Sequence, residues 1–478
     1  MINKEQMVDF LQCDISSFNF QDLYDLVISK ENCVNCGACL TICPRINFDK
    51  NTPKLIDSDP ECSLCYKYCP KTFFPKSLFE KEIFKENNNQ DSLLGNFQEI
   101  LAAKSTNNKI LQKSQNGGVV TSLLCHAFNS GLIDGVLMVK KDDNWHPKPF
   151  IARTQEEIIS AAGSIYAMTP LLSVYNEAVH KFKVKNLAFV GLPCQIYSVR
   201  KFQLFSPLSD KYGKFKLILG LFCSSNFSYD SISNLVQNFF GISMKDIEKL
   251  DVSHGKLISY LKDGSIKQIS LERISKYHYP SCKNCKDYSA EFADISIGSV
   301  GAPDNKWNSV LIRSNFGKKL FNNAVKHNKI IISYNIDKQK IKNASKRKKL
   351  HINKTSDEIY SALKMFDISK DAIEIYKTLL SLGEVDLYTL NEVLNIMPEI
   401  VSKNLNLLIK RKWILKDNNF YRPLNPSYVI KNEIQEFMRS FNNQINIIKM
   451  KFLEDLNILF IKNNLMTLDD IEFVNVIL

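Results

Sequence analysis

Seven of the chain's 13 cysteines fall between residues 33 and 69, and their spacing restricts what this region can fold around. They read Cys33-x2-Cys36-x2-Cys39-x3-Cys43-Pro44, then Cys62-x2-Cys65-x3-Cys69-Pro70. Such runs wrap iron–sulfur clusters, with three thiolates holding one cluster and the fourth crossing to a second. By that rule Cys33, Cys36, Cys39 and Cys69 form one ligand set, and Cys43, Cys62 and Cys65 form another. In the second set Asp59 stands where a thiolate is expected. That site is predicted to hold a [3Fe-4S] centre, a cubane with a labile corner, or nothing. Zinc is the alternative for paired Cys-x2-Cys. A closed zinc site, however, takes four ligands and has no use for the third cysteine of each run.

A chain of 478 residues exceeds one ordinary core, so about two to four domains are expected. Its 45% hydrophobic and 23% charged residues are those of a soluble globular protein. No apolar run approaches the roughly 18–20 residues that span a bilayer, so no membrane span is expected. The start Met1-Ile2-Asn3-Lys4-Glu5 has no basic segment leading into an apolar one, which predicts a cytoplasmic protein. Thirteen cysteines in such a chain point to metal ligation rather than disulfides. The seven histidines show no metal-binding spacing. A net charge of +12 suits nucleic acid, an acidic partner, or simply a Lys-rich composition. Its densest stretch, Lys338 to Lys349, reads as a solvated helix face or linker rather than a nucleic-acid patch.

Residues 1–28 read as an N-terminal helical segment, and 29–80 as a ferredoxin-like α+β module carrying [4Fe-4S] clusters. The polar stretch from Lys85 to Gln90 reads as a linker. Across 97–345, short apolar runs at Ile133–Val139, Asn186–Gly191 and Lys216–Phe222 alternate with amphipathic segments. That alternation predicts an α/β core with a largely parallel sheet. Residues 366–425 suit three short helices (370–382, 386–396, 398–412) and a β-wing around Asp417-Asn418-Asn419, the outline of a winged helix-turn-helix. A long amphipathic helix, 426–465, follows. Its apolar face repeats every eleven residues, through Ile430, Ile434, Phe437, Phe441, Ile445, Ile448, Phe452, Leu456 and Leu459. It either packs on its own chain or makes a homodimer seam. The fold class is thus a multidomain α/β chain.

Four further cysteines lie in the α/β region. Cys194 and Cys223 directly follow predicted strands, where open α/β sheets gather ligands, and Cys282-x2-Cys285 adds a chelating pair. The four either close around one cubane or include buried small hydrophobes. Cys13 and Cys125 sit in helical contexts and read as core residues, with Cys13 a remote replacement for the missing ligand. Ser114-Gln115-Asn116-Gly117-Gly118 precedes the helix 119–129, and glycines at a helix start let backbone N–H groups approach an anionic ligand. Ile297 to Pro303, after Asp294 and before Trp307, either lines a flavin or nucleotide pocket or forms a tight strand connection.

Together these segments resemble the family of coenzyme F420-reducing hydrogenase/dehydrogenase β-subunits over roughly residues 20–345. The matching stretches are Ser114 to Gly118, Ala162-Gly163-Ser164-Ile165-Tyr166 through Pro170, and Gly191-Leu192-Pro193-Cys194-Gln195. Gly220 to Cys223, Cys282 to Tyr288, and Ala293 to Gly301 match as well. The resemblance implies an α/β flavoprotein holding FAD, with a [4Fe-4S] cluster on Cys194, Cys223, Cys282 and Cys285, for two or three clusters in all. It also implies hydride exchange with coenzyme F420, an acidic deazaflavin that suits a basic chain. Carried over by position, Ser114, Gln115, Gly117, Gly118 and Thr121 contact FAD, with Tyr166 and Thr169 near its ring. Residues from Asp371 onward resemble archaeal TrmB-like winged-helix regulators. The recognition helix there starts Pro398-Glu399 and offers only Lys403, Lys410, Arg411 and Lys412 to phosphates, so docking or dimerisation is favoured over DNA.

The leading expectation is an iron–sulfur flavoprotein oxidoreductase, passing electrons between ferredoxin-type clusters and FAD and exchanging hydride with F420. Its partners would be ferredoxin or a redox enzyme complex. The alternatives are a redox-sensing transcription regulator and an electron-transfer subunit, or reductase, acting on a non-F420 substrate. No individual catalytic residue is assigned.

Overall fold

The computed structural model of the chain describes residues 5, 18–49, 52–57, 62–84, 89–205, 208–350, 363, 366–394, 396–449, 453, 455 and 456. Two compact units are present, Met1–Ile352 and Asn353–Leu478. The first is built on eight strands: β1 (Glu99–Ser105), β2 (Gly135–Lys141), β3 (Pro147–Ala152), β4 (Leu187–Gly191), β5 (Phe215–Leu221), β6 (Ile295–Gly298), β7 (Asn308–Ile312) and β8 (Ile330–Ser333). Their order in the sheet is β8-β1-β7-β6-β5-β4-β2-β3. The central strands β2, β4, β5 and β6 pair in parallel. The flanks are antiparallel, with β3 folding back on β2 and β7, β1 and β8 alternating on the other side. Five of the eight strands therefore run the same way.

The central strands are largely apolar, with Lys140, Lys141 and Lys216 their only lysines, because both faces are covered. One face carries helices α1 (Val119–Asn129) and α3 (Asn315–Lys326), through Leu123, Leu124, Leu320 and Phe321. The other carries α2 (Pro193–Leu204), through Ile196, Val199 and Phe202, and against it the cysteine-rich module. A three-stranded antiparallel sheet, Ile247–Ser253 with Lys256–Leu261 and Ile266–Ser270, packs on the helix Tyr229–Phe240 as a satellite.

The cysteine-rich module holds a hairpin, Ile46–Asp49 with Thr52–Leu55, and short helices Ala38–Ile42 and Leu64–Tyr68. It shares the core of the larger unit, since Val34, Ala38, Tyr68 and Phe79 pack with α2. Polar contacts fix its placement. The buried Tyr68 hydroxyl donates to Phe205 O at 3.0 Å, Ser198 Oγ donates to Tyr68 O at 3.1 Å, and Leu172 N donates to Cys36 O at 2.9 Å.

Two expectations need revision. Of the expected linker, residues 85–88 lie outside the described residues, while Asn89 and Gln90 open a small hairpin with Gly95–Phe97. The basic stretch is not simply a solvated face or linker. It forms α4 (Lys338–Leu350), which buries Ile341, Ala344, Ser345, Lys348 and Lys349. Those positions share one helix face, and packing turns it inward against Leu94, Tyr288 and Leu311. Of the N-terminal segment, Phe20–Leu23 is α-helical and Tyr24–Ile28 continues it as a π-helical turn. Cys13 and Asp59 lie outside the described residues.

The second unit contains helices Lys370–Leu382, Leu387–Val393 and Pro398–Lys410 and a three-stranded sheet. In that sheet Phe420–Pro423 lies between Val385–Asp386 and Ile414–Asp417. Helix Pro426–Ile447 follows and leaves Ile434, Phe437 and Phe441 exposed. Beyond residue 449 only 453, 455 and 456 are described, so Phe452 and Leu459 fall outside. Among the described residues no helix is long and apolar enough to cross a membrane.

Candidate iron–sulfur and flavin site

The cysteines gather in three groups. Cys69 lies beside Cys33, Cys36 and Cys39, as the crossing rule requires. Cys65 neighbours Cys62 and Cys43, the complementary set. The strand ends then bring Cys194 and Cys223 together, because β4 and β5 are parallel neighbours. Cys282 and Cys285, at the end of the 3-10 turn Pro280–Asn284, close on the same place. Burial, then the neighbouring sulfurs, push the Cys194 thiol well above its ordinary value. Four thiolates gathered in one partly buried place require a compensating cation. Brought together from three segments, they are the donor set that an iron–sulfur cluster takes.

Helix α2 joins two of these groups. Cys194 opens it, and Ser198 and Lys201 follow at four and seven residues, on the face turned to the module. Ser198 hydrogen-bonds Cys36. Lys201, wholly buried, donates to Lys67 O at 3.1 Å and Cys69 O at 2.5 Å and lies 4.1 Å over the Phe73 ring. Burial drives its ammonium down to about 7 despite the nearby sulfurs. Tyr279 neighbours Cys33 and Cys36 on one side and Cys194 and Cys282 on the other.

The glycine loop is held against β1 and β7. Ser105 N donates to Gly117 O at 2.7 Å, and a Cβ on Gly117 would stand 2.9 Å from Ala103 O and Asn308 N. Gly118 caps α1 in the left-handed region at φ +70°. Asn308 Oδ1 accepts from Val119 N at 3.3 Å, while the N–H groups of Val120 and Thr121 complete the open first turn. Ser114 Oγ turns back to Ile110 O, and Lys249 Nζ reaches Gln115 O at 3.1 Å from the satellite sheet. Gln115 Nε2 is buried with no protein partner among the described residues. An orphaned donor beside a glycine cradle at a helix start fits a flavin dinucleotide.

Gly163 stands beside Lys113 O, which brings the second matching loop to the first. Tyr166 on that loop neighbours Asp251 and Cys223, so it lies between the loops and the core cysteines. Thr121 is buried in the first turn of α1. Thr169 is also buried, its hydroxyl bonded to Ala167 O and its carbonyl to Gln195 Nε2 at the start of α2. The Ile297–Pro303 segment forms a tight connection: a Cβ on Gly298 would strike the Phe222 ring, and one on Gly301 would strike α4. It touches the cradle through Gly298 O, which accepts from Asn308 Nδ2 at 3.2 Å, and just beyond it Asn305 O accepts from Asn116 Nδ2 at 3.1 Å.

The family models match here. One, for the N-terminal part of the coenzyme F420 hydrogenase/dehydrogenase beta subunit, matches residues 100–176, and its C-terminal counterpart matches 184–358. The chain belongs to the family of coenzyme F420 hydrogenase/dehydrogenase beta subunits. It is 37% identical over 238 residues to the coenzyme F420 hydrogenase beta subunit of Methanosarcina barkeri, covering 49% of this chain and 81% of that relative. It is 32% identical over 312 residues to a subunit of the F(420)H(2) dehydrogenase of Methanosarcina mazei, covering 62% and 83%. A chain of the F420-reducing [NiFe] hydrogenase complex from M. barkeri superposes with TM-score 0.53 at 31% identity, over 59% of this chain and 97% of that one.

In this family member, Lys201, Tyr279, Lys249, Asn308 and Lys348 escaped the sequence reading. Lys201, Lys249, Asn308 and Lys348 lie far along the chain from the groups they meet, Tyr279 lies far from Cys33 and Cys36, and lone residues of these types have no spacing to betray them. Cys125 is a core residue of α1, as expected.

Proposed function

We propose that the chain is an iron–sulfur flavoprotein oxidoreductase that passes electrons between cysteine-held clusters and FAD and exchanges hydride with coenzyme F420. The carrying observation is the file of sites through one unit. The Cys33/36/39/69 set meets the Cys194/223/282/285 set at Tyr279, and the latter meets the glycine cradle at Tyr166. The clusters, when bound, pass single electrons, and a flavin exchanges them in pairs as a hydride with a deazaflavin. The protein's own part is placement. Helix α2 places Cys194 of the core set and packs against the module that carries the other, the glycine cradle would hold the dinucleotide, and the cysteine thiolates would hold the clusters. The relatives' names point to coenzyme F420 as the hydride partner and to a redox enzyme complex as the electron partner, and ferredoxin is the alternative electron partner that the cysteine-rich module suits.

The second unit reads as a winged helix used for docking or self-association. Arg411, one of four basic residues offered to DNA, is held by Glu433 at 2.6 Å, which leaves the exposed Lys403, Lys410 and Lys412. Helix Pro426–Ile447, with its exposed apolar residues, is the surface for a second copy. Anaerobic purification with iron, sulfide and flavin counts, followed by F420 reduction assays, tests the whole reading. About 8 to 12 irons, one FAD and F420 turnover are expected, at four irons per cubane. A colourless, metal-free protein after reconstitution would refute it.

A further inference from the structure

Helix α4 turns Ile341, Ala344, Ser345 and Lys348 to the interior at positions i, i+3, i+4 and i+7. Three of the four are small or apolar, as packing asks. Lys348 is not, yet it is only 9% exposed. Its Nζ donates to the Cys223 carbonyl. Its charge faces Cys223, Cys285, Cys194 and Cys282, all four members of the core set. Among the described residues no carboxylate forms an ion pair with it. Lys349, next in sequence, shows the ordinary solution, because its ammonium pairs with Glu291 at 2.5 Å and donates to Ser92 O at 2.9 Å. A buried ammonium without a counter-charge costs several kcal/mol, and one backbone carbonyl does not offset that. The missing negative charge is therefore that of the sulfurs.

We propose that Lys348 is the charge-compensating residue of the core four-cysteine site and raises the reduction potential of the cluster bound there. A cluster's potential depends on its net charge, its hydrogen bonds and its burial, and a fixed cation nearby favours the more negative, reduced form. Asp287, which neighbours Cys223, acts in the opposite sense, and Lys348 outweighs it by facing all four sulfurs. The proposal rests on the iron–sulfur reading of the core site, and the test separates the two.

The experiment is an EPR-monitored redox titration of anaerobic full-length protein, with the core signal assigned by its loss in Cys223→Ser. Lys348→Gln keeps a donor for the Cys223 carbonyl and removes the charge, whereas Lys348→Arg keeps the charge. Lys348→Gln is expected to shift the reduction equilibrium at least tenfold toward the oxidised form, about 59 mV for one electron. Lys348→Arg is expected to stay near wild type. Failure of the glutamine variant alone to load core iron, with the arginine variant loaded, supports the same role. An unchanged potential in Lys348→Gln, or an arginine variant that behaves like glutamine, overturns it. A wild-type protein lacking any Cys223-dependent signal overturns the iron–sulfur reading itself, and the proposal with it.

Discussion

Glu291 shows how much a single buried charge holds in place. Its carboxylate accepts Lys349 at 2.5 Å and Lys76 at 3.1 Å, while its own N–H donates to Asp287 Oδ2. Burial works to raise it, but the two lysines prevail and bring it down to about 2. Asp287, equally buried and facing Glu291, is pushed up. Glu291→Gln would leave the buried Lys349 ammonium uncompensated, while the part-exposed Lys76 keeps Glu80 at 3.8 Å, and an uncompensated buried charge costs about 3–5 kcal/mol. The sign of the pH effect follows from the depressed value. The stabilisation is complete above the ordinary carboxylate range and is lost as pH falls from about 4.5 toward 2. The expected result is a large gap in chemical-denaturation midpoint between wild type and Glu291→Gln at pH 7, closing as the pH falls through that window. A gap that does not vary with pH would contradict the assignment. Gly117 is constrained differently, by space. Gly117→Ala drives a methyl into Ala103 O and Asn308, so about 1–3 kcal/mol of overpacking is expected, with reduced FAD retention after gel filtration. FAD content equal to wild type would remove Gly117 from the cradle.

Helix α2 is the element on which the arrangement turns. Pro193 presets its first turn, and Gln195 caps it by accepting from Leu192 N at 3.1 Å. It then sends Ser198 and Lys201 into the cysteine-rich module. Lys201→Met keeps the apolar stem but leaves the buried carbonyls of Lys67 and Cys69 without that donor, a loss of about 1–3 kcal/mol. Iron should then leave the module for a chelator several-fold faster than in wild type, while the Cys223-dependent core signal persists. Equal release rates would contradict a bracing role. The parts of this element legible in sequence were the local ones. The apolar run before Gly191 marked the strand, Cys194 was read as following it directly, and the Cys-x2-Cys spacings marked candidate ligands whose geometry is set within a few residues. Lys201 was illegible because its module partners lie about 130 residues away, and Tyr279, although close in sequence to Cys282, because Cys33 and Cys36 lie about 240 residues away. The basic run at α4 misled for the same reason. Charge density suggests solvent, whereas the burial of Lys348 and Lys349 depends on thiols and a carboxylate supplied by other elements.

At the scale of the larger unit, the three cysteine sets are not equivalent. Tyr279 is near enough to Cys33, Cys36, Cys194 and Cys282 to feel their charge, while the neighbours of Cys65 are Cys62 and Cys43 of its own set. The order that follows places the Cys43/62/65 set outermost, then Cys33/36/39/69, then the core cysteines, then the glycine cradle. The two outer sets therefore respond differently to loss of a ligand. In Cys36→Ser, flavin exchange with reduced F420 should survive, since the core set and cradle are untouched. Reducing equivalents from F420 should then stop at the core cluster and never reach the Cys43/62/65 site. In Cys62→Ser only the outermost signal should disappear, with the Cys33/36/39/69 cluster still reduced by F420. Stopped-flow absorbance of the flavin, paired with freeze-quench EPR of the iron centres, reads both variants. Reduction of the outermost site in Cys36→Ser at the wild-type rate would break the order, because it would require a route from the core that avoids Tyr279.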